Sequence, residues 1–400
     1  MRLLKVLFIC LLILFPFGEV LRFDIGNNIS LKPSDVVAVL LCLTTAYVYL
    51  RNKLFQKSLK WYYFFFPIVS LISLFVNSYW LQTNEFLTSF LYWLRWISYM
   101  SIFFAVLIFD TSFRKKIIKF LIIDGLLVLL AGYIQFFFYP SLRDLFYLGW
   151  DEHLYRMFST FLDPNFVGAF FVLYLIFIAT MLFHNVQKWE RWRIISSILI
   201  LALALVAIFL TYSRSALLML VLSGITLFIL LNKKKYILYL LGTIVAFIII
   251  ISPFFYLENI NLFRINSSLA RVNDLGHVSQ IIINNLLLGV GFNSYRYAQV
   301  RYHLISSYSP FPSHSDSGDD TSLLFVFATT GIAGLIAYCN LWWEYLKKAI
   351  VHYKNNAFAL IFIASFAGLF IDSVFNNSLF YAEIMLWMWI ITGFMFENKT

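Results

Sequence analysis

Charged side chains are scarce in this sequence. Asp, Glu, Lys and Arg make up 12% of 400 residues, about half the share found in an ordinary soluble domain. That shortage excludes a solvated globular surface for most of the chain. Cysteine is also rare. Cys10, Cys42 and Cys339 lie far apart inside apolar runs, with no C-x-x-C spacing. They read as small core- or lipid-facing residues, outside any disulfide or metal site. Internal repeats, heptads and low-complexity tracts are missing, and the acidic stretch SDSGDD (315–320) is too short to be a tail. No basic patch is interleaved with aromatics in a soluble segment, so the net charge of +10 does not point to nucleic acid.

What the chain has instead is apolar surface: 62% of residues are hydrophobic and 20% aromatic. Apolar runs of about twenty residues recur throughout, as membrane helices require. The expected fold class is an all-α integral membrane protein of about twelve transmembrane helices. Expected spans lie near 5–20, 34–50, 61–80, 86–110, 117–139, 165–184, 194–211, 215–231, 236–254, 322–344, 356–373 and 379–396. They divide the chain into 1–254 with nine helices, a loop at 255–321, and 322–400 with three more. The first twenty residues have the basic start and apolar centre of a signal peptide, but FGEVLRF offers no small-x-small cleavage site. A retained first helix is expected, with a cleaved signal as the alternative.

Loop charge fixes the orientation. RNKLFQKSLK, FRKKIIK, QKWERWR, NKKKY and EYLKKAIVHYKNN fall on one side together with both termini, and this side carries 20 of the 30 Lys and Arg residues. The basic side should be cytoplasmic. The acids concentrate on the other side, with Asp151, Glu152, Asp163, Asp274, Asp316, Asp319 and Asp320 among them. The loop at 255–321 is too long to be a plain connection. Its apolar content (SLARVNDL, QIIINNLLLGVGF) predicts helices lying across the outer face.

TYSRSA (211–216) joins two apolar runs, each long enough to span. An arginine in hydrocarbon costs at least about 2.5–3.5 kcal/mol. Arg214 is therefore either a snorkelling anchor at the outer surface or a cation fixed where two helices reverse. In the second role it would bind phosphate, which suits the bidentate guanidinium. Asp163-Pro164-Asn165 has the composition of a helix start. Gly289 and Gly291 in GVGF are no dinucleotide fingerprint, since no third glycine follows at the right spacing, so a tight turn is expected. SDSGDD lacks the spacing of a known calcium loop. The outer histidines His153, His277, His303 and His314 show no zinc-type spacing.

SRSA after an outward span, then a span, a basic inner loop, another span and a long outer loop, resembles the O-antigen ligase and O-antigen polymerase superfamily. RMFSTFLDPNFVGAF (156–170) is similar to the family's R-x-x-G-x-F-x-x-P-N element. ARVNDLGHVSQIIINNLLLGVGFNSY (270–295) is similar to its arginine-bearing helix and G-x-G-x-x-x-[FY] turn. DDTSLLFVFATTGIAGLIAY (319–338) resembles its D/H-N-S-x-L…G-x-x-G element, and PFGEVLRFDIGNNISLKPSDVV near the N-terminus has the family's look.

The resemblance implies a multi-span glycosyltransferase of GT-C type in a bacterial plasma membrane, both termini cytoplasmic. Its donor would be a polyprenyl-diphosphate-linked glycan. Its acceptor would be a hydroxyl on another glycan, lipid A core or a protein, with membrane lipids as its surroundings. No metal or other cofactor is implied, and the anomeric centre would invert. Diphosphate departure develops negative charge, which fixed cations stabilise. Arg214 and Arg271 are the first choices, then Arg156 and Arg264. Ser213, Ser215, Asn165 and Tyr295 would line the substrate site. A base is also needed, and His314 is the candidate histidine, since an imidazole as a class titrates near neutral pH. The slot of the ligases' histidine–asparagine pair, counted back from Gly331, holds Asp320, with His314 six residues further out. An aspartate in this slot is polymerase-like, so both Asp320 and His314 stand as candidate bases.

Two rival readings remain. A secondary transporter fits twelve spans, with Asp124, Asp372 and Glu383 as carboxylates in or near spans. Asp124 is expected to pair with Arg95 inside the bundle. A scaffold without catalytic activity would leave glycan transfer intact in Arg214→Ala.

Overall fold

The computed structural model describes residues 1–26, 29–52, 60–254, 266–305 and 320–396. Arg264 and His314, two of the expected site residues, lie outside them, as do Asp316 and Asp319. The described helices are α1 (Arg2–Leu14), α2 (Pro33–Arg51), α3 (Tyr62–Val76), α4 (Thr83–Leu107), α5 (Thr111–Phe138), α6 (Pro164–Asn185), α7 (Arg191–Leu210), α8 (Arg214–Leu230), α9 (Lys235–Ile251), α10 (Asn266–Asn284), α11 (Tyr295–Arg301), α12 (Ser322–His352), α13 (Ala357–Asp372) and α14 (Ala382–Met395).

Seven of these helices are long and apolar enough to cross a membrane: α2, α3 with the turn that extends it to Trp80, α4, α5, α6, α7 and α12. Helices α8, α9, α13 and α14 are apolar but run to only 14–17 residues. That is about 21–26 Å at 1.5 Å per residue, against a hydrocarbon layer of roughly 30 Å. The chain is thus an all-helical, multi-span membrane protein whose apolar helices fall on the expected stretches. One element was not expected: a short antiparallel ribbon pairs β1 (Phe23–Gly26) with β2 (Ile29–Leu31), with a bulge between Asp24 and Gly26.

The packing is aromatic. Trp389 stacks on Trp342 at 5.3 Å between centroids, and Trp387 meets Phe170 edge-on at 5.2 Å. Water cannot drive helices together within lipid, so close van der Waals contact of this kind holds the bundle. One end of the bundle is tied by polar contacts near the basic loops. Lys5 pairs with Asp110, Arg114 donates to the carbonyls of Gly393 and Phe396, and Asn356 Nδ2 donates to Met395 O at 3.0 Å. The expected Asp124–Arg95 pair does not form. Arg95 Nε instead donates to Asp35 Oδ1 at 2.8 Å, and Asp124 Oδ2 is buried without a partner. The charge on α4 is met by the first turn of α2, a neighbour that sequence distance conceals.

Helix α12 is broken at Gly331, where φ is +66° and ψ −169°. The break is filled by the GVGF turn. Val290 N and Gly291 N donate to the carbonyls of Ala328 and Thr329, each at 3.0 Å, and Ile332 N donates to Leu286 O at 2.8 Å. Both backbones approach too closely for a side chain. A Cβ on Gly331 would lie 2.2 Å from Leu287 O, and one on Gly289, itself at φ +66°, 2.4 Å from the Thr329 carbonyl carbon. Ser73 and Asn77 of the neighbouring α3 segment complete the join through hydrogen bonds to Leu288 O, Thr329 O and Gly289 O.

Candidate functional site

At the opposite end of the bundle from the basic loops is a cavity of about 1390 Å³. Its walls come from segments far apart in the chain: the N-terminal ribbon, α4, the 139–166 connection, α10, the turn into α11, and the α13–α14 connection.

The 139–166 connection has little regular structure, yet it is held by specific contacts. His153, Tyr155, Ser159 and Leu162 all adopt positive φ. Gln135, from the last turn of α5, clamps the segment. Its Oε1 accepts from Phe158 N and Ser159 N at 2.9 and 3.1 Å, and its Nε2 donates to Tyr139 O and Arg156 O. Asp163 then caps α6, with Oδ1 accepting from Asn165 N at 2.6 Å and from Phe166 N at 3.2 Å. The Asp-Pro-Asn order thus starts a helix, as its composition leads one to expect. Burial pushes the Asp163 carboxyl up, against the pull of these amides and of Arg156.

Arg156 is anchored in this wall. Its Nε donates to Thr211 O at 2.9 Å and its Nη2 to Asn165 Oδ1 at 3.2 Å. Asn165 Oδ1 also accepts from Ser213 Oγ at 3.0 Å. Ser213 caps α8, contacts Ser215 Oγ at 3.1 Å, and Ser215 accepts from Asn376 Nδ2 at 2.7 Å. Asn376 and Ser378 close the chain on the buried Asp372. The serines of TYSRSA therefore stand one layer behind the cavity, joining Arg156 to Asp372. Arg214 itself lies close enough to Arg271 for the two cations to repel.

Arg271, on α10, faces Asp320 just before α12, with Nε 3.8 Å from Oδ2, and lies over the Phe375 ring at 5.7 Å. Asp320 keeps 47% of its side-chain surface because it opens into the cavity. The surrounding walls still push its carboxyl up to about 6. Arg271 opposes that shift, and Asp274, Asp163 and Asp151 add to it.

The floor near the N-terminal ribbon is a buried ion cluster. Lys32 Nζ donates to Glu19 Oε1 and Glu383 Oε1, both at 2.7 Å. Arg22 is 3.6 Å from Glu19, and Asp35 accepts from Arg95 and from Tyr99. Burial alone would raise Glu19, but Lys32, Arg95 and Arg22 more than reverse it and hold the carboxyl down to about 2. Burial would likewise lower Lys32, and the two glutamates reverse that and raise it.

A third wall is mainly aromatic, with Arg296 of α11 the charged residue beside it. Phe292, Phe325 and Phe380 form a ring cluster with centroids 5.2–6.4 Å apart. Tyr295 and Ala298 of α11 pack against Phe325 and Phe380. Gln299 and Asn377 complete this lining.

Of the expected site residues, Arg156, Asn165, Arg271, Tyr295 and Asp320 line one cavity, Arg214 is outside that lining but within electrostatic range of Arg271, and Ser213 and Ser215 stand behind the wall. Sequence reasoning did not assign a site role to Glu19, Arg22, Lys32, Gln135, Gln299, Asn376 or Asn377. Polar residues at the ends of apolar runs were the signal that marks most of them. Among the described residues, no group of three or more His, Cys, Asp or Glu side chains is placed to hold a metal ion.

Residues 199–339 match the family model described as O-antigen ligase. The match covers about a third of the chain, from within α7 to just past the break in α12, and takes in Arg214, Arg271, Tyr295 and Asp320. No curated protein matches the chain.

Proposed function

We propose that this protein is a glycosyltransferase of the O-antigen ligase/polymerase type. It moves a glycan from polyprenyl diphosphate to an acceptor hydroxyl at the outer face of a bacterial plasma membrane. The carrying observation is convergence: Arg156, Arg271 and Asp320, from three of the motif-bearing stretches, line one cavity, with Arg214 of SRSA within electrostatic range of Arg271. The O-antigen ligase match over 199–339 supports the same reading. So does the gathering of the charged groups at one end of the bundle, because a secondary transporter places its binding groups near the midplane. The twelve crossings, with both termini cytoplasmic, follow from the loop charges.

In this mechanism Asp320 takes the proton of the acceptor hydroxyl as that oxygen bonds to the anomeric carbon. The bond from that carbon to the diphosphate oxygen breaks, and the electron pair leaves with the diphosphate. Attack from the face opposite the leaving group inverts the centre. Arg156, Arg214 and Arg271 stabilise the departing charge. Cations held near one another stabilise an anion placed between them more than either does alone. No metal is needed for this charge balance. Arg264 and His314 belong to the same proposal as a further cation and the other candidate base.

The test is transfer from a polyprenyl-diphosphate-linked glycan pool to candidate acceptors by purified protein in nanodiscs, with chelator present. Transfer by the wild type that is lost in Arg214→Ala and Arg271→Ala is the expected result. Equal transfer by wild type and both variants would return these arginines to an anchoring role.

A further inference from the structure

We infer that Asn165 binds the ligand directly: its side-chain Nδ2 donates to an oxygen of the bound diphosphate beside the Arg156 guanidinium, and a buried chain of hydrogen bonds fixes the amide in the direction this requires. The inference rests on the proposed transferase function for the identity of the anion. The direction of the amide follows from the hydrogen bonds alone.

The direction is set by what each partner is able to give. A guanidinium has donors only, so the Asn165 atom 3.2 Å from Arg156 Nη2 is the amide oxygen. Ser213 Oγ lies 3.0 Å from the same oxygen and gives it its single hydrogen. With that hydrogen spent, Ser213 accepts from Ser215, 3.1 Å away. Ser215 accepts in turn from Asn376 Nδ2 at 2.7 Å, and the same Nδ2 donates to Asp372 Oδ1 at 3.1 Å. The chain therefore runs one way, from Asn376 through Ser215 and Ser213 to Asn165. Ser213, Ser215, Asn376 and Asp372 are all buried, which shields it from solvent and strengthens each bond.

With Oδ1 turned into the wall, Nδ2 is the end of the planar amide left on the cavity side, and Asn165 lines that cavity together with Arg156. Among the described residues Nδ2 donates to no protein atom, and it is not among the polar atoms sealed away from solvent. The Asn165 backbone N–H is already given to Asp163 Oδ1 at 2.6 Å, and that carboxylate is met on the wall side by Phe166 N as well. An amide donor beside a guanidinium is matched by an oxygen that accepts and carries negative charge. A phosphate oxygen meets both conditions, and hydrogen bonds to charged groups are roughly twice as strong as neutral ones. The amide adds direction without changing the charge of the site.

The experiment measures binding without turnover. Full-length protein in nanodiscs is titrated with pyrophosphate in a calorimeter, with no acceptor present. Asn165→Ala should weaken binding about tenfold. The same loss is expected when Asn165→Ala is added to Arg156→Met, because an atom that touches the anion acts in either background. No further loss in that background would mean that Asn165 works only by holding Arg156, and the inference would fall. Asn165→Asp guards against misfolding, since it keeps an oxygen for both Arg156 and Ser213. It should melt at the wild-type temperature yet bind pyrophosphate at least about a hundredfold more weakly, because an acceptor stands where the donor was. Unchanged binding in this variant also overturns the inference. Ser213→Ala releases one of the two bonds that turn the amide and should weaken binding about threefold. Pyrophosphate binding that depends on Asn165 in a protein that transfers nothing would sink the transferase reading and leave this donor standing. Transfer by a protein whose pyrophosphate binding ignores Asn165 would do the reverse.

Discussion

The two charged regions that border the cavity are built from the same residue types and do opposite things. Around Lys32 positive and negative groups alternate at short range, with both glutamates 2.7 Å from Lys32 Nζ, and Lys32, Glu19 and Glu383 are buried. Around Arg271 the one ion pair is long, 3.8 Å to an Asp320 carboxylate that opens into the cavity, and Arg214 lies near enough to add its positive field. A cluster whose buried lysine is shared by two glutamates is committed to itself, so its main contribution is to hold α2, α14 and the segment before the ribbon in place. A long ion pair open to the cavity leaves room for an anion to compete for the guanidinium. In this molecule the difference between structure and chemistry is thus one of charge balance, while residue type is shared.

Removing a partner from the balanced cluster should have the largest effect. Lys32→Met leaves Glu19 and Glu383 buried together with no cation between them, a loss of about 3–5 kcal/mol. Thermal unfolding in detergent should show a large drop, and adding Glu19→Gln and Glu383→Gln should restore much of it. An unchanged melting temperature would mean that the cluster does not hold the fold.

Arg271→Ala should do the reverse: transfer falls by about 10²–10³, with the melting temperature nearly that of the wild type. If stability falls as far as in Lys32→Met, the contrast between the two regions fails.

Acid separates the regions next. Asp320, raised to about 6, is an effective base only above that pH, so transfer should fall about tenfold per unit below pH 6. Glu19 is shifted the other way, from 4.5 to about 2. A lowered folded-state value means that its stabilisation is whole above about 4.5 and is lost as pH falls towards 2. At pH 5 the protein should therefore be folded but slow, as circular dichroism and transfer on one sample would show. Loss of both signals together at pH 5 would refute the assignment.

The smallest effect is expected behind the wall. Ser213→Ala removes the α8 cap and a bond to Asn165, worth about 1 kcal/mol. Its transfer should fall severalfold, well short of the Arg271→Ala loss.

The contrast between the two regions also tracks what was legible in the sequence. Arg156, Asn165, Arg214, Arg271 and Asp320 sit in short motifs at the edges of apolar runs, and each edge is visible in the residue order. The Lys32–Glu383 pair links positions 351 apart, so nothing local announces it. The same blindness produced the expected Asp124–Arg95 pair, where burial of both charges was legible and the neighbour of each was not. Gln135 is another case. It reads as one polar residue near the end of an apolar helix, and only the fold shows it clamping the turn that presents Arg156. The ribbon escaped because four- and three-residue strands carry almost no periodic signal.

Between the GVGF turn and the broken helix themselves, the join is made by main-chain atoms. Leu286 and Leu287 give it their carbonyls while their side chains remain 53% and 75% exposed. Spelling at those two positions is therefore nearly free, and mutation can drift there without loosening α10 and α11 from the bundle. Within the two joined segments the intolerance is concentrated in Gly289 and Gly331, which have no side chain to vary. The wall that holds Arg271 and Gln299 thus depends on two residues that an inspection of functional groups alone would pass over.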